Sequence, residues 1–353
     1  MTRLVRAGFA AAAALAVLFA AGAASAAPNT GSIAVSFSPM TLGSSSSATL
    51  HVSTPQSDDS IAAINIYTNA SVASGTPGTQ IGSVDATAFA HDAGLNLPLT
   101  GPVTADDPSK HAADACSPGA NQGVWVMNLS AAGQTLPIPI YINKTAGGAT
   151  AFGAYNLKIC LPPWDVPVGT PGRSFQGAQL IDAKLTLNKV LTAPTSAGLS
   201  VWEMFTTPYT PGKGTPNLAG TFESRAFVPL PIALGIKATY KKQTHTWILA
   251  GKTSEGGVPL ATGTTLTLSR GTSPTALKRA GSAKVKTGGA WTMSGRLIPK
   301  KTTYFQISTS VGERDYTATG CKNAAPPTIA PAGCVNATLS PWSAKSSIVR
   351  VKP

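Results

Sequence analysis

Charged residues are scarce in this sequence. They make up 12% of its 353 residues, about half of the roughly 25% that is usual in soluble domains. Runs of the helix formers Glu, Lys and Leu are few as well, which argues against an α-rich enzyme. Gly and Pro are abundant, with 35 and 28 copies, and 43% of the residues are hydrophobic. This composition excludes a disordered chain and favours short strands and turns.

The chain also lacks the short motifs that indicate common catalytic sites. It has no G-x-S-x-G elbow, no H-E-x-x-H, no S-x-x-K, no Walker loop and no dinucleotide fingerprint. A glycosidase would need two carboxylates about 5 to 10 Å apart. Glu203 and Glu223 are the only glutamates before residue 233, and no sequence pattern places them together. We therefore expect a protein that is not an enzyme and that uses no cofactor.

Metal-binding patterns are similarly weak. The four His residues and four Cys residues show neither C-x-x-C nor H-x3-H spacing. Asp106, Asp107 and Asp114 form the best group of oxygen ligands for Ca²⁺, but they lack the alternating Asp spacing of a calcium loop. Because acids in surface loops are usually solvated, we predict no metal site.

Residues 1–26 have the three parts of a secretory signal peptide. Arg3 and Arg6 form a basic start, an apolar run follows, and the small residues 24–26 predict cleavage after Ala26. An uncleaved membrane anchor is the alternative, because the apolar run approaches the ~18 residues of a membrane span. The run is mostly Ala, a weak membrane inserter, and no second apolar run of that length follows. We therefore expect an exported protein without a transmembrane segment in its mature chain.

A Pro-bracketed segment, residues 229–232, separates two stretches of different composition, and we place a domain boundary after residue 232. The N-terminal part, residues 27–232, contains alternating or β-branched runs that predict strands. A polar stretch over residues 98–123 lacks periodicity and is predicted to be a loop. The predicted strands of the N-terminal part include residues 33–37, 64–67, 124–126, 138–142 and 180–187.

The C-terminal part, residues 233–353, contains short apolar runs spaced by Gly-rich turns, a pattern typical of a β-sandwich. The sequence thus predicts an all-β fold of two β-sandwich modules, the C-terminal one being immunoglobulin-like. Its seven predicted strands are residues 234–240, 245–252, 264–270, 283–287, 290–295, 302–309 and 346–352.

Several turn and strand motifs of the C-terminal part carry a resemblance to a known class of modules. They include Gly251 in A-G-K, the stretch 263–268 (G-T-T-L-T-L), the stretch 288–294 (G-G-A-W-T-M-S) and Thr303 in T-Y-F. Over roughly residues 233–312 the chain resembles the immunoglobulin-like or prealbumin-like modules of bacterial envelope and secreted proteins. The resemblance implies a β-sandwich and a non-catalytic role, and it assigns no functional residue.

Four cysteines follow the signal peptide: Cys116, Cys160, Cys321 and Cys334. An even number of cysteines in an exported chain predicts disulfide bonds, because the compartment beyond the membrane is oxidising. Four cysteines allow three connectivities. We predict Cys116 with Cys160 and Cys321 with Cys334, because each domain would then close its own bond.

The positive charge is concentrated in the C-terminal part. The N-terminal part has eight Lys and Arg against eleven Asp and Glu, whereas the C-terminal part has seventeen against three, a net charge of +14. Such asymmetry bears on partners rather than on fold. Ten residues in local runs are predicted to bind a polyanion and to lie on one face: Lys237, Lys241, Lys242, Lys278, Arg279, Lys284, Lys286, Arg296, Lys300 and Lys301.

An anionic cell-wall polymer or a membrane surface is the expected partner of these residues, and nucleic acid is disfavoured because the chain is exported. The leading hypothesis is a secreted, non-catalytic binding or structural protein of the bacterial cell exterior. The alternative is a secreted carbohydrate-active enzyme with the C-terminal module as an accessory. Trp164, in a Pro-rich loop, is a candidate for stacking on a sugar, although such a ring commonly caps the end of a sandwich core.

Overall fold

The computed structural model describes residues 30–353 except 39, 132, 197, 298–300 and 317–335. The predicted signal peptide and the predicted Cys321–Cys334 bond lie outside the described residues. Within the described part the chain is all-β, with strands joined by turns and by short 3-10 helices. The 3-10 helices are Pro108–His111, Gly147–Ala151, Phe175–Gly177, Leu218–Gly220, Lys242–Thr244 and Thr287–Gly289.

Strands fill most of both parts of the chain. Those of the N-terminal part are β1 (Ser32–Ser38), β2 (Ser45–Ser53), β3 (Ile61–Thr68), β4 (Ser71–Val72), β5 (Gln80–Ala90), β6 (Leu95–Asp106), β7 (Gly123–Ala131), β8 (Gln134–Lys144), β9 (Tyr155–Cys160), β10 (Ala178–Thr192), β11 (Gly198–Pro208) and β12 (Phe222–Leu230). Those of the C-terminal part are β13 (Ile232–Leu234), β14 (Lys237–Lys241), β15 (Thr246–Glu255), β16 (Val258–Pro259), β17 (Thr265–Gly271), β18 (Lys278–Lys284), β19 (Ala290–Arg296), β20 (Thr303–Val311), β21 (Arg314–Tyr316), β22 (Asn336–Leu339), β23 (Trp342–Lys345) and β24 (Val349–Val351).

One large sheet combines strands of both parts. Its strand order is β1-β2-β10-β5-β6-β7-β8-β9-β3-β11-β12-β22-β21, and β4 also pairs with β10. The described pairs are antiparallel except β12 and β22, which run parallel. Two strands that flank residues 317–335 of the C-terminal part therefore extend the sheet of the N-terminal part.

The large sheet bends back on itself, so that β1 lies close to β12. Ser340, which follows β22, bridges these two strands. Its backbone N–H donates to the Phe227 carbonyl at 3.0 Å, and its Oγ accepts from the Val35 N–H at 3.0 Å. Because Ser340 is fully buried, both hydrogen bonds are shielded from water.

The core of the N-terminal part follows from strand alternation. Side chains at every second position of a strand share a face, and on β1 those of Ile33, Val35 and Phe37 are at most 3% exposed. Matching positions on the other strands complete one hydrophobic cluster drawn from residues 33–230, and a second cluster spans residues 234–351. The boundary after residue 232 stays a prediction.

The expectation of a loop over residues 98–123 is wrong for its first part. Residues 98–106 belong to β6, which pairs with β5 on one side and β7 on the other. The alternation was hidden by two prolines among short side chains, but Leu99, Val103 and Ala105 point inward and are buried. Only residues 107–122 connect β6 to β7 as a loop.

The C-terminal part forms two smaller sheets that pack face to face. In the first, β15 lies between β14 and β19, and its second half pairs with β13 and β16. In the second the order is β18-β17-β20-β23, with β24 also on β20. Trp247 and Phe305 meet between the sheets with ring centroids 4.9 Å apart. The arrangement is sandwich-like.

Most predicted strands of the C-terminal part overlap observed ones, but residues 283–287 do not form the predicted strand. The observed strand β18 spans Lys278–Lys284 and pairs with β17. It is a basic edge strand without apolar alternation, so the sequence signal came from Val285, which is buried just after it. Of the predicted last strand, 346–352, only Val349–Val351 forms a strand, β24; β23 (Trp342–Lys345) ends just before the predicted range.

The predicted Cys116–Cys160 disulfide is present in the structure. It ties the loop after β6 to the end of β9, across 44 residues of sequence. Such a bond is typical of proteins outside the reducing cytoplasm.

Candidate functional site

Basic side chains lie on the outer face of the first sheet of the C-terminal part. Strand register places Lys241, Thr246 and Arg296 in one row across this face. Lys237 lies on the same face of β14, and Lys252 on the same face of β15. The four basic side chains are exposed. Lys252 was absent from the predicted set because it stands alone in the sequence.

Other predicted polyanion-binding residues lie on the opposite side of the sandwich. Arg279 and Lys284 project from β18 on the outer face of the second sheet, and Lys345 of β23 shares that face. The predicted residues therefore do not line one face. Lys300 lies outside the described residues.

The charged residues of the C-terminal part do not form the expected single basic face; its acids lie at one end and a group of its basic residues at the other. Its three acids lie on the side of the N-terminal part: Glu255 accepts from Trp342 Nε1 at 2.6 Å, Glu313 contacts His51, and Asp315 belongs to β21 of the large sheet. At the opposite end, here called the distal end, the described residues include no acid. Its basic residues are exposed: Lys241, Lys242, Arg270, Lys278, Arg296, Lys301, Arg350 and Lys352.

A cavity of about 230 Å³ opens at the distal end, here called the end pocket. Arg270, Gly271 and Thr272 contribute to it from the end of β17, and Thr303 contributes from the start of β20. Leu297 and Lys301, from the connection between β19 and β20, complete the lining. Among the described residues, the lining thus holds two cations, two hydroxyl groups and no carboxylate.

A larger groove of about 600 Å³ lies between the two parts of the chain. It runs between the β1–β2 connection and the outer face of the second sheet. Its lining is rich in hydroxyl groups, including those of Ser38, Thr267 and Ser308, and Lys345 is its charged residue. The described residues that line the two cavities include no carboxylate, so they do not supply the acid pair that a glycosidase requires.

The two glutamates of the N-terminal part are brought together, contrary to expectation. Glu203 of β11 lies opposite Arg225 of β12, and Glu223 lies two residues before Arg225 on the same face. Arg225 Nη2 is 3.3 Å from Glu203 Oε1 and 2.7 Å from Glu223 Oε1. The F-E-S-R spacing along one strand was the sequence signal for two of the three members of this cluster, Glu223 and Arg225.

This buried triad is unsuited to catalysis on a substrate. Glu203, Glu223 and Arg225 are each at most 9% exposed. Burial raises the pKa of Glu203; the charge of Arg225 lowers it, and that of Glu223 raises it further. The second carboxylate oxygens of both glutamates are buried without a hydrogen-bond partner among the described residues. The cluster therefore constrains the fold rather than presenting acids to solvent.

The three aspartates considered as oxygen ligands for Ca²⁺ lie at the end of β6 and in the loop after it, where two of them, Asp106 and Asp114, contact His111. His111 Nδ1 is 2.7 Å from Asp114 Oδ2, and His111 Nε2 is 3.2 Å from Asp106 Oδ2. Tyr141 also donates to Asp114 at 2.7 Å, and Lys110 donates to Asp106 at 3.1 Å. Hydrogen bonds, led by one from the Asp107 N–H, lower the pKa of Asp106 to about 2. The carboxylates thus have partners within the protein.

Asp107 caps the following 3-10 helix through the Ser109 N–H. Among the described residues, no group of three or more His, Cys, Asp or Glu side chains is arranged to hold a metal ion. The three aspartates are therefore part of the structure of the loop that carries Cys116.

Trp164 does not present a free ring. His91 stacks on it with ring centroids 3.5 Å apart and an interplanar angle of 3°. The backbone N–H of Trp164 donates to Ser60 Oγ at 3.1 Å. The side chain is half-buried and joins the loop between β9 and β10 to the β5–β6 turn. It resembles a capping residue more than a sugar platform.

His51 joins the two parts of the chain. Its Nε2 is 2.7 Å from Asp182 Oδ2 on β10, and its Nδ1 is 3.3 Å from Glu313 Oε2 of the C-terminal part. Lys184 lies directly opposite on β10. Burial lowers the pKa of His51, but the hydrogen bonds and charges of the two acids outweigh burial and raise it overall. The two carboxylates on either side of the ring thus favour its protonated form.

In the part of the chain that the structure describes, no helix has the length and apolar character needed to cross a membrane.

No protein-family description matches this chain, and no curated protein sequence matches it. Among solved structures, it is similar to the crystal structure of a tetra-tandem repeat in the extending region of a large adhesion protein. That similarity has 13% sequence identity and a TM-score of 0.22, and it covers 90% of this chain and 75% of the other.

Proposed function

We propose that this protein is a secreted, non-catalytic binding or structural protein of the bacterial cell exterior, whose basic C-terminal part adheres to an anionic envelope polymer. The observation that supports it is the separation of charge in the C-terminal part. Its acids lie toward the N-terminal part, whereas the distal end carries exposed Lys and Arg and, among the described residues, no acid. Charges of one sign gathered at one end attract a polyanion, and no nearby charge of the other sign in the described chain repels it.

Export supports the same proposal. The sequence has a signal peptide pattern, and the Cys116–Cys160 disulfide suits an oxidising compartment. The strand order of the C-terminal part, with β14-β15-β19 packed against β18-β17-β20-β23, also agrees with the immunoglobulin-like topology that we assign to this module.

The test is binding of the full mature chain to purified bacterial cell walls at rising salt. Because added salt shortens the Debye length from about 10 Å at 0.1 M to about 3 Å at 1 M, we expect affinity to fall at least about tenfold between ~0.05 and ~0.5 M NaCl. Walls stripped of their anionic polymer serve as the matched control and should retain little protein. An affinity that does not change with salt concentration, or no binding at all, would contradict the proposal.

A further inference from the structure

The end pocket concentrates positive charge, and no acid of the described residues lines it. Arg270 and Lys301 both line it and both are exposed. Neither takes part in an ion pair within the described chain. The acids of the C-terminal part lie at the end opposite the pocket. Lys278 lies directly opposite Arg270 on the neighbouring strand and adds a third cation. An anion that enters the pocket is therefore attracted by two lining cations and by a third cation beside one of them.

The walls of the end pocket are fixed by the fold. Gly271 packs so closely against the next turn that a Cβ there would lie 2.3 Å from the Ala276 carbonyl oxygen. Leu297 is 6% exposed, and its backbone N–H donates to the His245 carbonyl at 2.9 Å. These contacts fix the backbone at Gly271 and at Leu297, on two sides of the pocket.

The lining matches a phosphate group that is bonded to a small carbon skeleton. The Arg270 guanidinium can bind two phosphate oxygens at once, whereas the Lys301 ammonium acts as a point charge. The Thr272 hydroxyl adds a hydrogen-bond donor. Leu297 supplies an apolar wall against which the carbon atoms of a polyol can lie, and the pocket's volume of about 230 Å³ leaves room for both groups.

We propose that the end pocket binds the phosphodiester groups of a polyol-phosphate polymer, with Arg270 and Lys301 as the recognising residues. This inference rests on the proposed function and names its ligand class. The remaining bases of the distal end then hold neighbouring phosphates along the same polymer.

The experiment compares two double variants of equal charge in the full chain. R270A/K301A removes the pocket's cations, and K284A/K286A removes two exposed lysines elsewhere on the C-terminal part. Binding to soluble poly(glycerol phosphate) at ~0.1 M NaCl is measured by calorimetry, with circular dichroism and melting curves to establish that each variant folds. We expect at least about tenfold weaker binding for R270A/K301A and less than about threefold for K284A/K286A.

A further variant and two further probes sharpen the result. R270K keeps the charge but loses the planar fork, so we expect it to weaken binding as well. For polyglutamate, a carboxylate polymer, the loss of affinity from the wild-type chain to R270A/K301A should be smaller than for poly(glycerol phosphate). Vesicles of phosphatidylglycerol should bind more weakly than the polymer; tighter binding to vesicles that depends on the pocket would overturn the polymer as the source of the phosphate.

The two proposals fail in different ways. Equal losses in R270A/K301A and K284A/K286A would overturn the end pocket while leaving charge-driven adhesion in place. Failure of the wild-type chain to bind any anionic polymer or cell wall would overturn the proposed function itself.

Discussion

Replacing the arginine of the buried triad with a neutral side chain of similar length should cost much of the fold's stability. In R225M, Glu203 and Glu223 remain buried without their cation. Removing one partner of a buried ion pair typically costs 3 to 5 kcal/mol, because an uncompensated charge stays inside. Total stabilities are commonly only about 5 to 15 kcal/mol, so this one change removes a large share.

Urea unfolding followed by Trp fluorescence measures the cost, since Trp202 lies on β11 in the core and is fully buried. With a denaturant slope of about 2 kcal/mol per molar urea, the midpoint should fall by about 1.5 to 2.5 M. The exposed Lys213, in the connection between β11 and β12, provides the control K213M, for which we expect a change within about 0.5 kcal/mol.

The pH dependence of R225M gives a second readout. Burial already raises the pKa of Glu203 in the folded state, and loss of Arg225 raises it further. The folded variant then takes up protons before the unfolded chain does, so its deficit should shrink as pH falls from about 7 to 5. The triple variant E203Q/E223Q/R225M, without buried charge, should regain most of the loss. A deficit under about 0.5 kcal/mol at pH 7, or one that grows on acidification, would refute the reasoning.

Two further predictions concern the connections of the fold. The variant C116S/C160S should lose up to about 4 kcal/mol of stability, because the bond closes a 44-residue loop; melting curves that differ by less than about 2 °C would contradict a constraining role. His51 has a raised pKa in the folded state, so its stabilisation should be full below about pH 6.5 and lost as pH rises through the folded value. H51Q should therefore lower the melting temperature more at pH 5.5 than at pH 8.5, and E313Q should reduce that difference; equal shifts at both pH values would count against the contact.

Strand periodicity was sufficient to predict an all-β fold because inward positions are strongly apolar. The run at residues 33–37 became β1, and that at 138–142 became the centre of β8. Strand periodicity failed where the inward residues are small or where prolines interrupt the pattern, as in β6 with Pro98 and Pro102. The pairing of β22 with β12 joins residues more than a hundred positions apart, and local pattern carries no information about such a partner.

Only part of the candidate site could be predicted from the sequence. Counting charges located the excess of positive charge in the C-terminal part, and Lys301 was among the predicted polyanion-binding residues. The end pocket also needs Arg270, which the sequence shows as a lone base at a strand end. Its place beside Lys301 arises from the pairing of β17 with β20, which a one-dimensional charge count does not contain.

Binding of the full chain to purified cell walls, measured as a function of salt, tests the adhesive role most directly. The distal end, with its exposed bases and no acid among the described residues, predicts a loss of affinity of at least about tenfold between ~0.05 and ~0.5 M NaCl. Equal retention at both salt concentrations would contradict adhesion through charge.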